Sequence, residues 1–141
     1  MTFSDIVDIA ASGLSAQRAR MTVTASNLAN AESTRTEAGG PYRRRDVVFA
    51  ARPLAGGFRG EIDRAMRSVQ VDRVVQDPRP PLTRYQPDHP DADAEGYVQL
   101  PRVEPVEEFV NMLSASRSFE ANLLVLRKAR EMGRAALQIG R

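Results

Sequence analysis

The chain has 141 residues, the length of one typical domain and enough for a modest hydrophobic core. Its net charge of +2 creates no strong attraction to nucleic acid or to an anionic membrane. Because the sequence contains no cysteine, disulfides, thiol catalysis and thiolate metal sites are excluded. No apolar run approaches the roughly 18 residues of a membrane span, and the start lacks the pattern of a cleaved secretory signal.

The first predicted element is a long amphipathic helix from Ser4 to about Asn30. Ser4 is a residue type favoured at helix N-caps. Apolar residues recur at alternating spacings of three and four, as in a coiled-coil seam, with polar breaks at Gln17 and Thr24. The alternative is an ordinary amphipathic helix packed on a globular core. The apolar members of the seam are Phe3, Val7, Ala10, Leu14, Met21, Leu28 and Ala31.

Two asparagines, Asn27 and Asn30, lie at the end of this helix and allow two interpretations. Asn30 can act as a C-cap, with its neighbours serving only to end the helix. Alternatively, both side chains hydrogen-bond across a helix interface, where a buried amide fixes the register at some cost in stability. The sequence leaves both interpretations open.

The middle of the chain is interrupted by glycine and proline, and we expect a small β-rich insert with long loops. Two runs have strand character, Tyr42 to Ala50 and Ser68 to Val75. Beyond Pro78 we predict that Leu82 to Leu100 is largely loop, because prolines and acidic residues dominate it.

The last predicted element is a second long helix, from Pro105 to about Ile139. Pro105 suits the first helical position, and Glu107 and Glu108 follow where the helix dipole favours negative charge. The helix carries two apolar stripes, so a single partner cannot cover it and neighbouring subunits are expected to do so. One stripe includes Phe109, Met112, Phe119, Leu123 and Leu126, and the other includes Val106, Val110, Leu113, Leu124, Val125 and Met132.

Candidate catalytic and metal-binding residues are few. His89 is the only histidine, and we expect it in a solvated loop. The acidic loop from Asp88 to Glu95 resembles the start of a calcium loop, but Arg102 occupies the position where a bidentate glutamate is required. We therefore predict no catalytic residue, no metal site and no cofactor.

Arg43, Arg44 and Arg45 form the one basic run. They could contact nucleic-acid phosphates, but no aromatic platform is interleaved and Asp46 follows directly. A basic strand edge that discourages unwanted pairing, or that docks on an acidic neighbour, is the favoured interpretation.

Several segments together resemble the axial proteins of the bacterial flagellum, and specifically a component of the proximal rod in the basal body. The resemblance covers essentially the whole chain. It departs from the family pattern at Arg102 and Glu104, where asparagines usually flank the valine before Pro105. The segments are 11–14, 26–31, 41–44, 47–49, 85–92, 95–98, 105–108, 111–112 and 114–122.

The resemblance implies an α+β fold in which the two terminal helices pair as an inner, coiled-coil-like layer. The expected divisions are an axial helix over 1–34, a β-rich central segment over 35–104 and a second axial helix over 105–141. The implied function is structural and non-enzymatic, in the shaft that transmits motor torque to the hook. Implied partners are copies of the chain, other rod proteins, and export-gate and MS-ring-associated proteins, with no nucleic acid and no direct membrane insertion.

The resemblance further implies delivery by the flagellar type III export apparatus, without a cleaved signal, to the rod that crosses the periplasm. Two alternatives stay open: a small nucleic-acid-binding module using Arg43 to Arg45, and a cytoplasmic export adaptor. The residues predicted to form the assembly and packing interface are Val7, Leu14, Met21, Asn27, Leu28, Asn30, Phe109, Met112, Phe119, Leu123 and Leu126.

Overall fold

The structure is a computed structural model that describes residues 3–54 and 66–139. The two long helices are α1, Phe3–Ala29, and α2, Pro105–Ile139. Between them lie four strands: β1, Arg45–Pro53; β2, Arg67–Gln76; β3, Leu82–Tyr85; and β4, Tyr97–Leu100. The predicted α+β class with long terminal helices is confirmed.

The helix bounds differ little from the prediction, and α2 spans the predicted range. Ser4, however, lies inside α1 and not at its cap, because the helix already includes Phe3. The Ser4 hydroxyl is 3.5 Å from Asp8 Oδ2, one turn further along the same helix. The predicted N-cap is therefore wrong.

The two helices pack against each other along most of α1 and run antiparallel. Each step forward along α1 is matched by an equal step back along α2, so the register holds over 24 residues or about 36 Å. Three contacts mark this register: Phe3 with Gly133, Gly13 with Asn122, and Asn27 with Glu108.

The interior of the helix pair is made of small and polar residues. The large apolar side chains of the helices are half-buried at its edges or exposed, and the chain exposes 10092 Å², against about 7,200 Å² expected for a compact monomer of this mass. Small side chains let the helix axes approach closely: a Cβ placed on Gly13 would lie only 2.9 Å from Asn122 Oδ1. The buried residues of the two helices are Asp5, Ala10, Ala16, Thr24, Asn27, Glu108, Ala115 and Ala129.

The strands β1 and β2 form an antiparallel hairpin that lies along α1. A bulge between Val48 and Phe49 shifts the register. The backbone N–H of Val69 donates to Ser12 Oγ at 3.1 Å, which attaches β2 to the helix. Both strands were predicted, although β1 begins at Arg45 and continues to Pro53.

The expectation that 82–100 is largely loop is wrong at its two ends, where β3 and β4 pair antiparallel. Tyr85 and Tyr97 are paired in register and pack edge to face at 5.4 Å between ring centroids. Gly96, at φ +83°, closes the turn before β4. Val98 is fully buried, so this short strand anchors the hairpin. The strands escaped prediction because each has only four residues and the prolines around them indicated loop.

Candidate assembly site

A buried polar cluster joins α1, the start of β1 and the first turn of α2. Its centre is Asn27, which is 1% exposed. Asn27 Nδ2 donates to the carbonyl of Arg45 at 2.8 Å and to Glu108 Oε2 at 3.0 Å. Asn27 Oδ1 accepts from the Tyr42 hydroxyl and from the backbone N–H of Arg45, both at 2.9 Å. One carboxamide therefore uses all four of its hydrogen-bonding positions.

Glu108 is the member of the cluster that α2 supplies, and it is 1% exposed. Its second oxygen, Oε1, accepts from Arg44 Nε at 2.7 Å. Arg44 also donates to Asp46 Oδ2 at 3.2 Å. Because the two oxygens of Glu108 face two donors, Asn27 and Arg44, a side chain with two acceptor oxygens fits this position.

The ion pair also affects Arg44. Burial of Arg44 disfavours its charge, but the hydrogen bond and charge of Glu108, followed by those of Asp46, outweigh this effect and raise the pKa of Arg44. The cluster therefore places the half-buried guanidinium of Arg44 next to the buried carboxylate of Glu108.

The outer face of α2 has the opposite character. It presents large apolar side chains to solvent, with Val106 69% and Val110 62% exposed. We call this surface the outer stripe. Such a surface on a single chain indicates a site for association. The outer stripe consists of Val106, Phe109, Val110, Leu113, Leu124, Val125 and Met132.

The predicted interface residues fall into three groups in the single chain. Asn27 is buried in the polar cluster, and Phe109, 58% exposed, belongs to the outer stripe. Asn30 is half-buried, and its Nδ2 donates to the carbonyl of Ser26 at 2.9 Å, so its contact is local to the helix end. The remaining predicted residues are half-buried and flank the line of buried residues: Val7, Leu14, Met21, Leu28, Met112, Phe119, Leu123 and Leu126.

Sequence reasoning missed three members of the cluster. It explained Glu108 by the helix dipole, treated Arg44 as one of three edge arginines and gave Tyr42 no role beyond its strand. The structure separates Arg44, 17% exposed and paired with Glu108, from the exposed Arg43 and Arg45. Because Arg44 is held inside, the basic run is a poorer phosphate-binding surface than the sequence suggested.

The acidic loop from Asp88 to Glu95, which contains His89, folds into turns that its own side chains stabilise. Asp93 Oδ1 accepts the backbone N–H groups of Glu95 and Tyr97, and His89 Nδ1 accepts that of Asp91. Within residues 3–54 and 66–139, no three side chains of histidine, aspartate or glutamate are grouped so that they could hold a metal ion. In the same part of the chain, no helix is long and apolar enough to cross a membrane.

Long antiparallel helices with an uncovered apolar stripe are typical of proteins that assemble with other subunits through their helices. Sequence comparison identifies which assembly family this chain resembles. Residues 8–35 match the family described as "Flagella basal body rod protein". Residues 94–139 match the family described as "Flagellar basal body rod FlgEFG protein C-terminal". The two matches cover most of α1, β4 and all of α2.

Similarity to individual proteins extends over the whole chain. Flagellar basal-body rod protein FlgC of Escherichia coli O6:H1 is 42% identical over 140 residues, covering 99% of both chains. The FlgC proteins of Bacillus subtilis and Borreliella burgdorferi are 37% and 41% identical, covering 100% and 94% of both chains. The chain belongs to the FlgC family of flagellar basal-body rod proteins.

Proposed function

We propose that this chain is a structural subunit of the flagellar basal-body rod, and that it polymerises with other rod proteins into the shaft that transmits motor torque to the hook. Its family membership supports the assignment to the rod. The observation that carries the assembly role is the outer stripe, because α2 turns its large apolar side chains away from its own core.

The outer stripe offers free energy of the size that association requires. Fully burying one large aliphatic or aromatic side chain contributes about 1.5–3 kcal/mol, so covering several half-exposed ones supplies free energy of the same order as the cost of immobilising a subunit, about 4–15 kcal/mol. A stripe that meets a different surface on its neighbour makes a heterologous contact, which is the kind that extends into a helical polymer. A shaft under torque needs many such lateral contacts along each subunit.

The finer assignments are also part of the proposal. Copies of the chain and other rod proteins cover the outer stripe, and export-gate and MS-ring-associated proteins contact the rod at its base. The chain reaches the periplasm through the flagellar type III export apparatus and acts without catalysis.

A charge placed on the outer stripe tests the assembly role. Val110→Asp should abolish swimming and remove the chain from purified basal bodies, because a carboxylate cannot be buried at the contact without a partner. The purified Val110→Asp protein should keep its helix content and thermal midpoint, since Val110 is 62% exposed.

The matched control is Val74→Asp on β2, where the valine is 48% exposed but lies away from α2. This variant should swim and should remain in basal bodies. The assembly role would be refuted by normal swimming and normal basal bodies in the Val110→Asp strain.

A further inference from the structure

The carboxamide of Asn27 binds the outer edge of β1 as a neighbouring strand would. The carbonyl of Arg44, the residue before β1, accepts the N–H of Asp77, the residue after β2, so the backbone at Arg44 points toward the β2 side. At Arg45 the backbone points the other way, since successive residues of a strand alternate. There Asn27 bonds both the N–H and the C=O of Arg45, which are the two groups that an adjacent strand would pair.

The orientation of this carboxamide depends on α2. Glu108 accepts from the second Nδ2 hydrogen of Asn27 and from Arg44 Nε. If α2 packed on α1 out of register, the buried Nδ2 of Asn27 would lose its acceptor on Glu108, and Arg44 Nε would lose the closer of its two carboxylate partners. A buried donor without an acceptor is costly, so Asn27 and Arg44 would turn to other partners.

We propose that Asn27 and Glu108 form an interlock that makes the fixed position of the β1–β2 hairpin conditional on correct pairing of α1 with α2. When the helices are in register, Glu108 holds the Asn27 amide against the edge of β1. When they are not, the edge is released and the hairpin loosens on α1. The interlock is a property of the single folded chain, so it goes beyond the proposed rod function and does not depend on it.

Such coupling has a structural consequence. Two hydrogen bonds attach the packed hairpin to α1: Arg45 bonds Asn27 near its start, and Val69 bonds Ser12 further along. The first of these involves Asn27, which also bonds Glu108 of α2. Helix pairing therefore acts on the hairpin through Asn27, and a subunit presents one outer surface when its helices are in register.

Amide hydrogen exchange of the purified full chain tests the interlock. Glu108→Gln replaces one acceptor oxygen by an NH₂ group that faces a donor. Exchange at the amides of Arg45 and Val69 should rise about tenfold, and by a larger factor than at Ala16 in the middle of α1. The matched control, Glu107→Gln, alters an exposed neighbour and should leave all three amides unchanged.

Two results of this experiment would overturn the interlock. In one, the amides of Arg45 and Val69 exchange no faster in Glu108→Gln than in Glu107→Gln. In the other, all three amides accelerate by the same factor, which would show a general loss of stability. Acceleration confined to Arg45 and Val69 supports it.

If Glu108→Gln does not fold, Tyr42→Phe tests the same coupling from the other side. This variant removes only the hydroxyl that donates to Asn27 Oδ1. Because coupling between two sites is reciprocal, exchange at the Glu108 amide in the first turn of α2 should accelerate more than at Ala16. Tyr97→Phe, at an exposed tyrosine of β4, is the control. No acceleration at Glu108 would refute the coupling.

Discussion

The two faces of α2 carry the residue types that are usual for the opposite face of a helix in a soluble protein. The face toward α1 buries two alanines, Ala115 and Ala129, and the charged Glu108. The face toward solvent carries the outer stripe, which includes a phenylalanine and several valines and leucines. Soluble helices normally bury the large apolar residues and expose the small and charged ones.

This reversal indicates that the two faces of α2 serve two different contacts, the inner face with α1 and the outer face with other subunits. Small residues on the inner face let α1 approach closely, and the buried polar cluster fixes the register at one end. The large apolar residues, which could have strengthened the core of the single chain, remain available for other subunits. The single chain is therefore expected to be only modestly stable, and much of the free energy of burial is gained on assembly.

The largest expected effect comes from breaking the charged pair on the inner face. Arg44→Ala leaves Glu108 buried without its charged partner, and should lower the free energy of unfolding by about 3 kcal/mol. The expected loss lies at the low end of the usual range because Arg44 itself is 17% exposed. Urea unfolding of the purified chain measures the effect.

The control for this prediction is an ion pair at the surface. Arg79 donates through Nε to Asp77 Oδ1 at 2.9 Å but is 61% exposed. Arg79→Ala should change stability far less, because solvent screens the exposed guanidinium of Arg79, although the Asp77 side chain is only 11% exposed. Equal effects of Arg44→Ala and Arg79→Ala would show that the inner face does not depend on its buried charge.

The second prediction compares two alanines of the same helix. Ala115 is fully buried against α1, so Ala115→Leu forces the helices apart and should cost about 2 kcal/mol of unfolding free energy. Ala121 is exposed, and Ala121→Leu should change it by less than about 0.5 kcal/mol. Thermal unfolding of the two variants provides the measurement. If Ala115→Leu were tolerated equally well, close approach of the helices would not be what the small residues provide.

Hydrophobic periodicity predicted the helices well and the contact between them poorly. It marks large apolar residues, so it drew attention to Leu14 and Met21, which are half-buried beside the contact. The contact itself uses Gly13 and Asn27, whose small size or polarity gives no periodic signal. The match of Glu108 to Asn27 joins residues 81 positions apart and required the three-dimensional structure.

The third prediction concerns two helical glycines at different places along the contact. A Cβ on Gly133 would meet the Phe3 ring at an ordinary 3.4 Å, so Gly133→Ala should stabilise the chain by up to about 1 kcal/mol through helix propensity. A Cβ on Gly13 would lie 2.9 Å from Asn122 Oδ1 and would displace that side chain. Gly13→Ala should therefore leave the free energy of unfolding unchanged or lower it slightly. If urea unfolding showed a clear increase in the free energy of unfolding for both variants, the helices would not be closely packed near Gly13.

The smallest expected effect is the pH dependence of the surface pair Asp77–Arg79. Hydrogen bonds from the Arg79 side chain, followed by its backbone N–H, lower the pKa of Asp77 to about 2 from its ordinary 3.8. Because the pKa is lower in the folded chain than in the unfolded chain, the pair stabilises the fold above about pH 4, and this contribution is lost as the pH falls toward 2. The difference in unfolding free energy between the natural chain and Asp77→Asn should therefore narrow over that interval, and 1 M salt should reduce it at pH 6. A difference that stays constant from pH 6 to pH 2 would show that Asp77 acts through its hydrogen bonds to the backbone and not through its charge.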